Sequence, residues 1–208
     1  MDRKKNDNMD FWNFCSPVYD LFHSTEKGSY EQVTDNIVAN IKEGDSVLEL
    51  ACGTGILSQS IAESCEVPFS YIATDFSPKM INACKQKTDA IQFEVADATC
   101  LRFDDKSFDH VVVANGLHIM PHPERALAEA HRVLKDNGGL LFAPNFLTPS
   151  TKTEEVATRL MRAVGYKAFN PFNLESYVTL LEKGGFDVVE HKVYTHLRSM
   201  LYVACRKE

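Results

Sequence analysis

A chain of 208 residues with 44% hydrophobic and 25% charged side chains has the composition of one globular unit, which sets aside disordered and fibrous classes. Its formal net charge of −7 provides no overall positive field for a phosphate backbone, so a nucleic-acid partner is disfavoured. No apolar run, Gly139 to Phe146 included, approaches the ~20 residues that span a bilayer as a helix.

Residues 1–10 are polar, with balanced charge and no apolar leader core, and read as the flexible tail of a cytoplasmic protein. The six cysteines, Cys15, Cys52, Cys65, Cys84, Cys100 and Cys205, contain no C-x-x-C pair. They read as reduced thiols, mostly packed in the core, and not as a disulfide framework or zinc site. Phe11 to Phe22 is aromatic-rich, and Tyr30 to Ile41 carries Val33, Ile37, Val38 and Ile41 at helical spacing, which predicts two N-terminal helices. From Asp45 onward strands alternate with helices, the pattern of a doubly wound α/β unit whose mostly parallel sheet is covered on both faces.

The first strand is Ser46 to Leu50, followed by a glycine loop and a helix from Gly55 to Ser64. Ser70 to Asp75 is the second strand; Ser77 then reads as an N-cap with Pro78 at the first helical position, and Met80, Ile81 and Cys84 form the buried stripe of that helix. Ile91 to Val95 is the third strand. His110 to Ala114, apolar on both faces, is the fourth and most central. A helix over Pro123 to Leu134 is stopped by Asn137-Gly138-Gly139 before a fifth strand at Leu140 to Ala143. Thr153 to Val164 and Leu174 to Lys183 follow as helices. Phe186 to Tyr194 and Leu197 to Cys205 are strands joined by a short turn, hence antiparallel.

The segment from Val47 to Gly55 carries the strongest chemical signal. Gly53 and Gly55 permit a turn that residues with a Cβ resist, and they let a ligand approach the main chain at a helix N-terminus. Glu49, on the strand just ahead, offers negative charge to a cationic ligand group. Asp75 closes the second strand about twenty residues beyond the loop, where an acidic side chain accepts both hydroxyls of a ribose. Asp97 follows the third strand in the same way, so three acidic groups and the glycine turn share one crevice.

These residues belong to a longer ordered set: VLELACGTG at 47–55, ATDFSPKM at 73–80, FEVADATCLRF at 93–103, FDHVVVANGLHIM at 108–120, RALAEAHRVLKDNGGLLF at 125–142 and LLEKGGFDVVE at 180–190. In that set the chain, from Tyr19 onward, resembles the class I S-adenosylmethionine-dependent methyltransferases, closest to the small-molecule branch that includes the ubiquinone and menaquinone C-methyltransferases. The resemblance implies a Rossmann-like, seven-stranded sheet of order 3-2-1-4-5-7-6 with strand 7 antiparallel. It also implies one domain over residues 11–208, in which the N-terminal helices of residues 11–44 form a lid or acceptor pocket. The implied methyl donor is S-adenosylmethionine, with S-adenosylhomocysteine as product. Glu49, Ala51, Gly53 and Gly55 would surround its methionine part, and Asp75 would hold the ribose with Phe76 against the adenine. Asp97 would accept from the adenine amino group, the backbone of Ala98 would read the ring edge, and Asn115 would add a main-chain contact at the methionine end. Ala51 departs from the glycine found at that position in many members. A nicotinamide dinucleotide fits less well, because the third glycine of G-x-G-x-x-G falls on Ser58.

Displacement of a methyl group from a sulfonium is accelerated by positioning, and a base is needed only where the acceptor must lose a proton. His118, just past the fourth strand, is the candidate base, with loop capping as its structural alternative. Tyr19, in a Y-D pair that the same branch shares, is the candidate aromatic that closes the site. The acceptor pocket is expected from Tyr19 and His23, from Asn115, His118 and His122, and from Asn145, Phe146, Tyr166 and Phe169, whose aromatic content points to an apolar or aromatic small molecule. His118 and His122 are four apart, but Pro121 breaks the helix that a metal pair would need, so no metal is expected. The competing functions are a cofactor-binding regulatory protein without turnover and a protein methyltransferase.

Overall fold

The computed structural model describes residues 11–14, 26–149, 151–163, 168–195 and 198–208. Five strands, β1 (Ser46–Leu50), β2 (Ser70–Asp75), β3 (Gln92–Val95), β4 (His110–Val112) and β5 (Leu140–Phe142), pair in parallel in the order β3-β2-β1-β4-β5. The chain then adds β6 (Asn145–Phe146), β7 (Phe186–Thr195) and β8 (Ser199–Lys207). β8 runs antiparallel to β5, to β6 and, on its other side, to β7. The expected strand order is therefore observed with one addition, the two-residue β6, which no period-2 pattern announces.

Alternating side chains send β1, β4, β5 and β8 into two cores. On one face Leu48, Val111, Leu141 and Val203 pack beneath α4 (Pro123–Val133) and α6 (Leu174–Lys183). On the other, Val47, Val112, Phe142 and Tyr202 pack beneath α1 (Lys27–Val38), α2 (Ile56–Ser64) and α3 (Pro78–Lys85). Every residue of β4 is buried, as a central parallel strand requires. A further helix, α5 (Lys152–Ala163), follows β6.

Helix ends follow local chemistry. Ser77 caps α3 by accepting the Met80 N–H at 3.2 Å, with Pro78 in the first turn, as expected. α6 opens with a reciprocal capping box between Asn173 and Ser176. α1 stops short of Ile41, because the Asn40 and Ile41 amides close tighter three-residue bonds onto Ile37 and Val38. β4 ends two residues early because the backbone bends into Asn115, at φ 51°. A Cβ on Gly139 would stand 2.4 Å from the Lys135 carbonyl oxygen, so only glycine makes the sharp entry to β5. Of the helix expected over Phe11 to Phe22, only the first turn, residues 11–14, lies among the described residues. Cys52, Cys84 and Cys205 are buried and Cys65 partly so, whereas Cys100 is exposed in the turn after β3.

At the amino ends of the strands, Asp109 accepts the Ser46 amide at 2.9 Å, the Ser46 hydroxyl at 2.7 Å and the Lys135 ammonium at 2.8 Å. Partial burial works to raise this carboxyl, but those hydrogen bonds outweigh it and hold the group down at about 2. β7 carries a bulge at Val188/Glu190 and leaves Val189 and Val193 exposed at the sheet margin. No helix among the described residues is long and apolar enough to cross a membrane.

Leu127 is fully buried on α4, with its Cδ1 3.2 Å from where a Cβ on Gly184 would stand. Leu127→Ala leaves a hole that this tightly packed site cannot close, and it is expected to destabilise the fold by about 2–5 kcal/mol. Denaturant titration should read this as a lower midpoint at unchanged slope.

Candidate functional site

The parallel strands deliver their carboxyl ends to one edge of the sheet, and a cavity of about 280 Å³ opens there, close to the ~300 Å³ at which small-molecule pockets begin. Its walls come from successive strand ends: Ala51 and Gly53 after β1, Asp75 and Phe76 at β2, Ala96 to Thr99 after β3, and Ala114 and Asn115 after β4. Trp12 and Met80, with Ile119, Met120, Pro121, His122 and Arg125, complete it.

The loop after β1 places Ala51, Gly53 and Gly55 in the left-handed region, at φ 55°, 58° and 78°. Ala51 carries a strain of about 1–2 kcal/mol there that a glycine would not. A Cβ on Gly55, the N-cap of α2, would come within 3.0 Å of the Cys84 sulfur. The turn is tied down by the Cys52 amide on the Thr74 carbonyl at 2.9 Å and by Asp75, whose Oδ2 accepts the Gly53 N–H at 3.0 Å and whose Oδ1 accepts the Ser77 N–H at 2.8 Å. Burial pushes the Asp75 carboxyl up to about 6, against the pull of those two amides. Each oxygen retains acceptor capacity toward the cavity. Asp97 accepts the Thr99 amide at 3.1 Å and hydroxyl at 2.8 Å, an Asx turn that holds the β3 exit against the cavity.

Glu49 is placed differently from the other acids. It lies beneath the glycine loop and not in the cavity wall, fully buried, with Oε2 accepting the Tyr71 hydroxyl at 2.8 Å and the Ser58 hydroxyl. Burial raises its carboxyl to about 7 despite both hydrogen bonds, and the neighbouring Asp75 adds to the rise.

Of the residues singled out from the sequence, Ala51, Gly53, Asp75, Phe76, Asp97, Ala98, Asn115 and His122 come together around the cavity, whereas Glu49 and Gly55 support it from behind. His118 is buried in a 3-10 turn (Leu117–Ile119), with Nδ1 2.8 Å from Asn145 Oδ1. Burial depresses this imidazole to about 4, only partly offset by Asn145, so it stays neutral and weakly basic near neutrality. Tyr19, His23 and Tyr166 lie outside the described residues.

Tyr30 was not expected to support the site, and it does so from behind Asn115. Its hydroxyl accepts the Asn115 Nδ2 donor at 2.9 Å, and burial pushes its phenol well above the usual range. Asn115 uses its other end to accept the Phe146 amide at 2.7 Å. These partners are 85 and 31 residues away in sequence, and no local pattern joins them. Trp12 packs on Met80 beside Phe76, at the cavity wall. Met80 reads in the sequence as an ordinary core position of α3, and only the fold shows that this stripe ends at the cavity. Among the described residues no His/Cys/Asp/Glu group could hold a metal ion.

A methyltransferase domain family matches residues 47–138, the stretch that builds all of this wall except Trp12. A demethylmenaquinone methyltransferase of Renibacterium salmoninarum is 36% identical over 143 residues, which cover 67% of this chain; the chain spans 58% of that relative's length. A demethylmenaquinone methyltransferase of Clavibacter sepedonicus is 32% identical over 174 residues, 73% of this chain and 69% of the relative. The solved S-adenosylmethionine-dependent methyltransferase of Thermotoga maritima has the same fold, at a TM-score of 0.74 with 22% identity, covering 96% of this chain and 99% of that one.

Glu49 makes the ligand-free protein pH-sensitive with a defined sign. Its folded value, about 7, lies above an unfolded value of about 4.3. Its contribution to stability is therefore greatest at low pH and declines as pH rises through that window. Glu49→Gln removes the decline. Thermal unfolding without ligand is expected to show the variant gaining on the wild type between about pH 5 and about pH 8; a constant difference would contradict the assignment.

Proposed function

We propose that this chain, which belongs to the class I S-adenosylmethionine-dependent methyltransferase family and is related to its demethylmenaquinone methyltransferases, transfers a methyl group from S-adenosylmethionine to a small-molecule acceptor by in-line displacement. The observation that carries this reading is the convergence of the left-handed glycine loop, Asp75 and Asp97 on one cavity. That donor set fits an adenosine-bearing cation: a buried carboxylate with capacity on both oxygens for a vicinal diol, a second carboxylate after β3, and apolar faces from Phe76, Met80 and Trp12. When bound, the cofactor supplies a methyl group already activated on its sulfonium.

The protein's own part is to hold and to exclude. Asp75 would bind the ribose hydroxyls, with Phe76 and Met80 against the adenine, Asp97 at its amino group and Ala98 along its edge. Ala51, Gly53 and the main chain of Asn115 would surround the methionine portion, with Glu49 supplying negative charge from beneath the loop. Rate then comes from fixed approach geometry. His118, neutral and held by Asn145, serves shape more readily than proton transfer. We further propose that residues 11–208 act as one domain whose N-terminal segment closes the acceptor side, a reading supported by Trp12 on the cavity wall. The setting is taken as cytoplasmic, which suits five unbridged cysteines among the described residues, including the neighbours Cys52 and Cys84 that share the Gly53 carbonyl.

Calorimetric titration with S-adenosylmethionine and S-adenosylhomocysteine, with NAD as control, tests the reading; binding of NAD in their place would refute it. Asp75→Asn is expected to weaken cofactor binding by about 10–100-fold, from the loss of charge-assisted hydrogen bonds of about 1.5–3 kcal/mol. Because Asp75 and Glu49 take up protons at about 6 and about 7, affinity for the cationic donor should fall as pH drops through that range. The same titration repeated across pH should show it, and an affinity that rises toward acid would count against both carboxylates.

A further inference from the structure

One cation beyond the cavity wall is held in a way that packing alone does not require. Arg198, in the turn just before β8, is half-buried, and its guanidinium carbon lies 3.8 Å from the centroid of the Phe146 ring. Stacking on a ring face uses none of the five in-plane N–H donors of an arginine. Among the described residues no carboxylate lies within ion-pair distance of this guanidinium. The carboxylate next to it in the fold, Glu154, directs Oε1 at the amide and hydroxyl of Ser199, at 2.8 and 3.0 Å, and Oε2 at the Thr151 amide.

The platform under Arg198 is fixed at both ends. The Phe146 amide donates to Asn115 Oδ1 at 2.7 Å, and its carbonyl accepts Asn145 Nδ2 at 2.7 Å. Asn115 is itself part of the cavity wall, at the end assigned to the methionine portion. Two contacts, ring to guanidinium and amide to Asn115, thus connect the cation to the place where an acceptor must meet the methyl group. Its charge is felt there: it acts to lower the pKa of both Tyr30 and His118, favouring an anion and disfavouring a second cation beside it. A stacked, partly desolvated guanidinium whose fork is uncommitted among the described residues suits a planar oxyanion, which it can grip through paired hydrogen bonds.

We propose that Arg198 binds the acceptor, and that the acceptor is a molecule bearing a planar oxyanion, carboxylate or phenolate, which docks on the Arg198 fork while its body extends past Phe146 and Asn115 toward the cavity. This rests on the methyltransferase reading of the cavity. Arg198 is a binding residue here and takes no proton.

The test uses the full chain saturated with S-adenosylhomocysteine. Two pairs of probes are titrated calorimetrically: 2-naphthoate against 2-naphthamide, and 4-nitrophenolate at about pH 8.5 against 4-nitroanisole. Preference for the anion by about tenfold or more in either pair, lost in Arg198→Gln and partly kept in Arg198→Lys, is the expected result. The pair that shows it names the oxyanion. Equal binding of anion and neutral partner, binding of neither, or a preference that survives Arg198→Gln overturns the proposal. Unchanged affinity of Arg198→Gln for S-adenosylhomocysteine confirms that its site is intact. Failure of the wild type to bind S-adenosylhomocysteine overturns the methyltransferase reading and this proposal with it, whereas binding without anion preference overturns the proposal alone.

Discussion

Asp75 joins the end of β2 to two turns at once, with one oxygen on the Gly53 amide and the other on the Ser77 amide. Remove that carboxylate and the loop after β1 loses its lateral brace, while α3 loses the anchor of its first turn. The cavity exists because these two turns are held at a fixed separation at the edge where the parallel strands end. The constraint has an electrostatic cost, since burial drives the carboxyl toward its neutral form. Glu49 behind the same loop is under similar pressure, and the two acids oppose each other. The site thus gathers two buried acids whose ionised forms a neighbouring positive charge would favour.

Much of this framework is legible in local sequence. The loop from Val47 to Gly55 needs left-handed backbone at fixed positions, and glycine content reports that need directly. Ser77 before Pro78 announces α3 by its side-chain chemistry, and Gly138-Gly139 marks the end of the α4 connection. The central position of β4 follows from a run that is apolar on both faces. Each of these signals is carried by residues within one turn or strand of the feature they specify.

What the sequence does not disclose is the network around Asn115, because its contacts span the chain. β6 is two residues long and depends on Asn115, 31 residues earlier, to hold the Phe146 amide. Tyr30 enters the same network through a bond across 85 residues. His118 looks like a base in the sequence because it follows a strand end, yet the 3-10 turn rotates it onto Asn145. The direction of that side chain is set by packing, which no local pattern encodes. Arg198 is another instance: nothing in its neighbourhood in sequence distinguishes it from a surface cation.

The bulged β7 has a consequence for how the protein behaves in a crowded solution. A ten-residue strand at the margin of a sheet offers a ladder of amides that a foreign strand can annex, and exposed Val189 and Val193 would reward the union. The break in register at Val188/Glu190 interrupts that ladder, and the Glu190 and Lys192 side chains, paired at 2.8 Å, set charges of both signs along it. An incoming strand would have to match an irregular rise and strip water from ions. The margin that closes the fold therefore also makes this edge a poor template for a foreign strand.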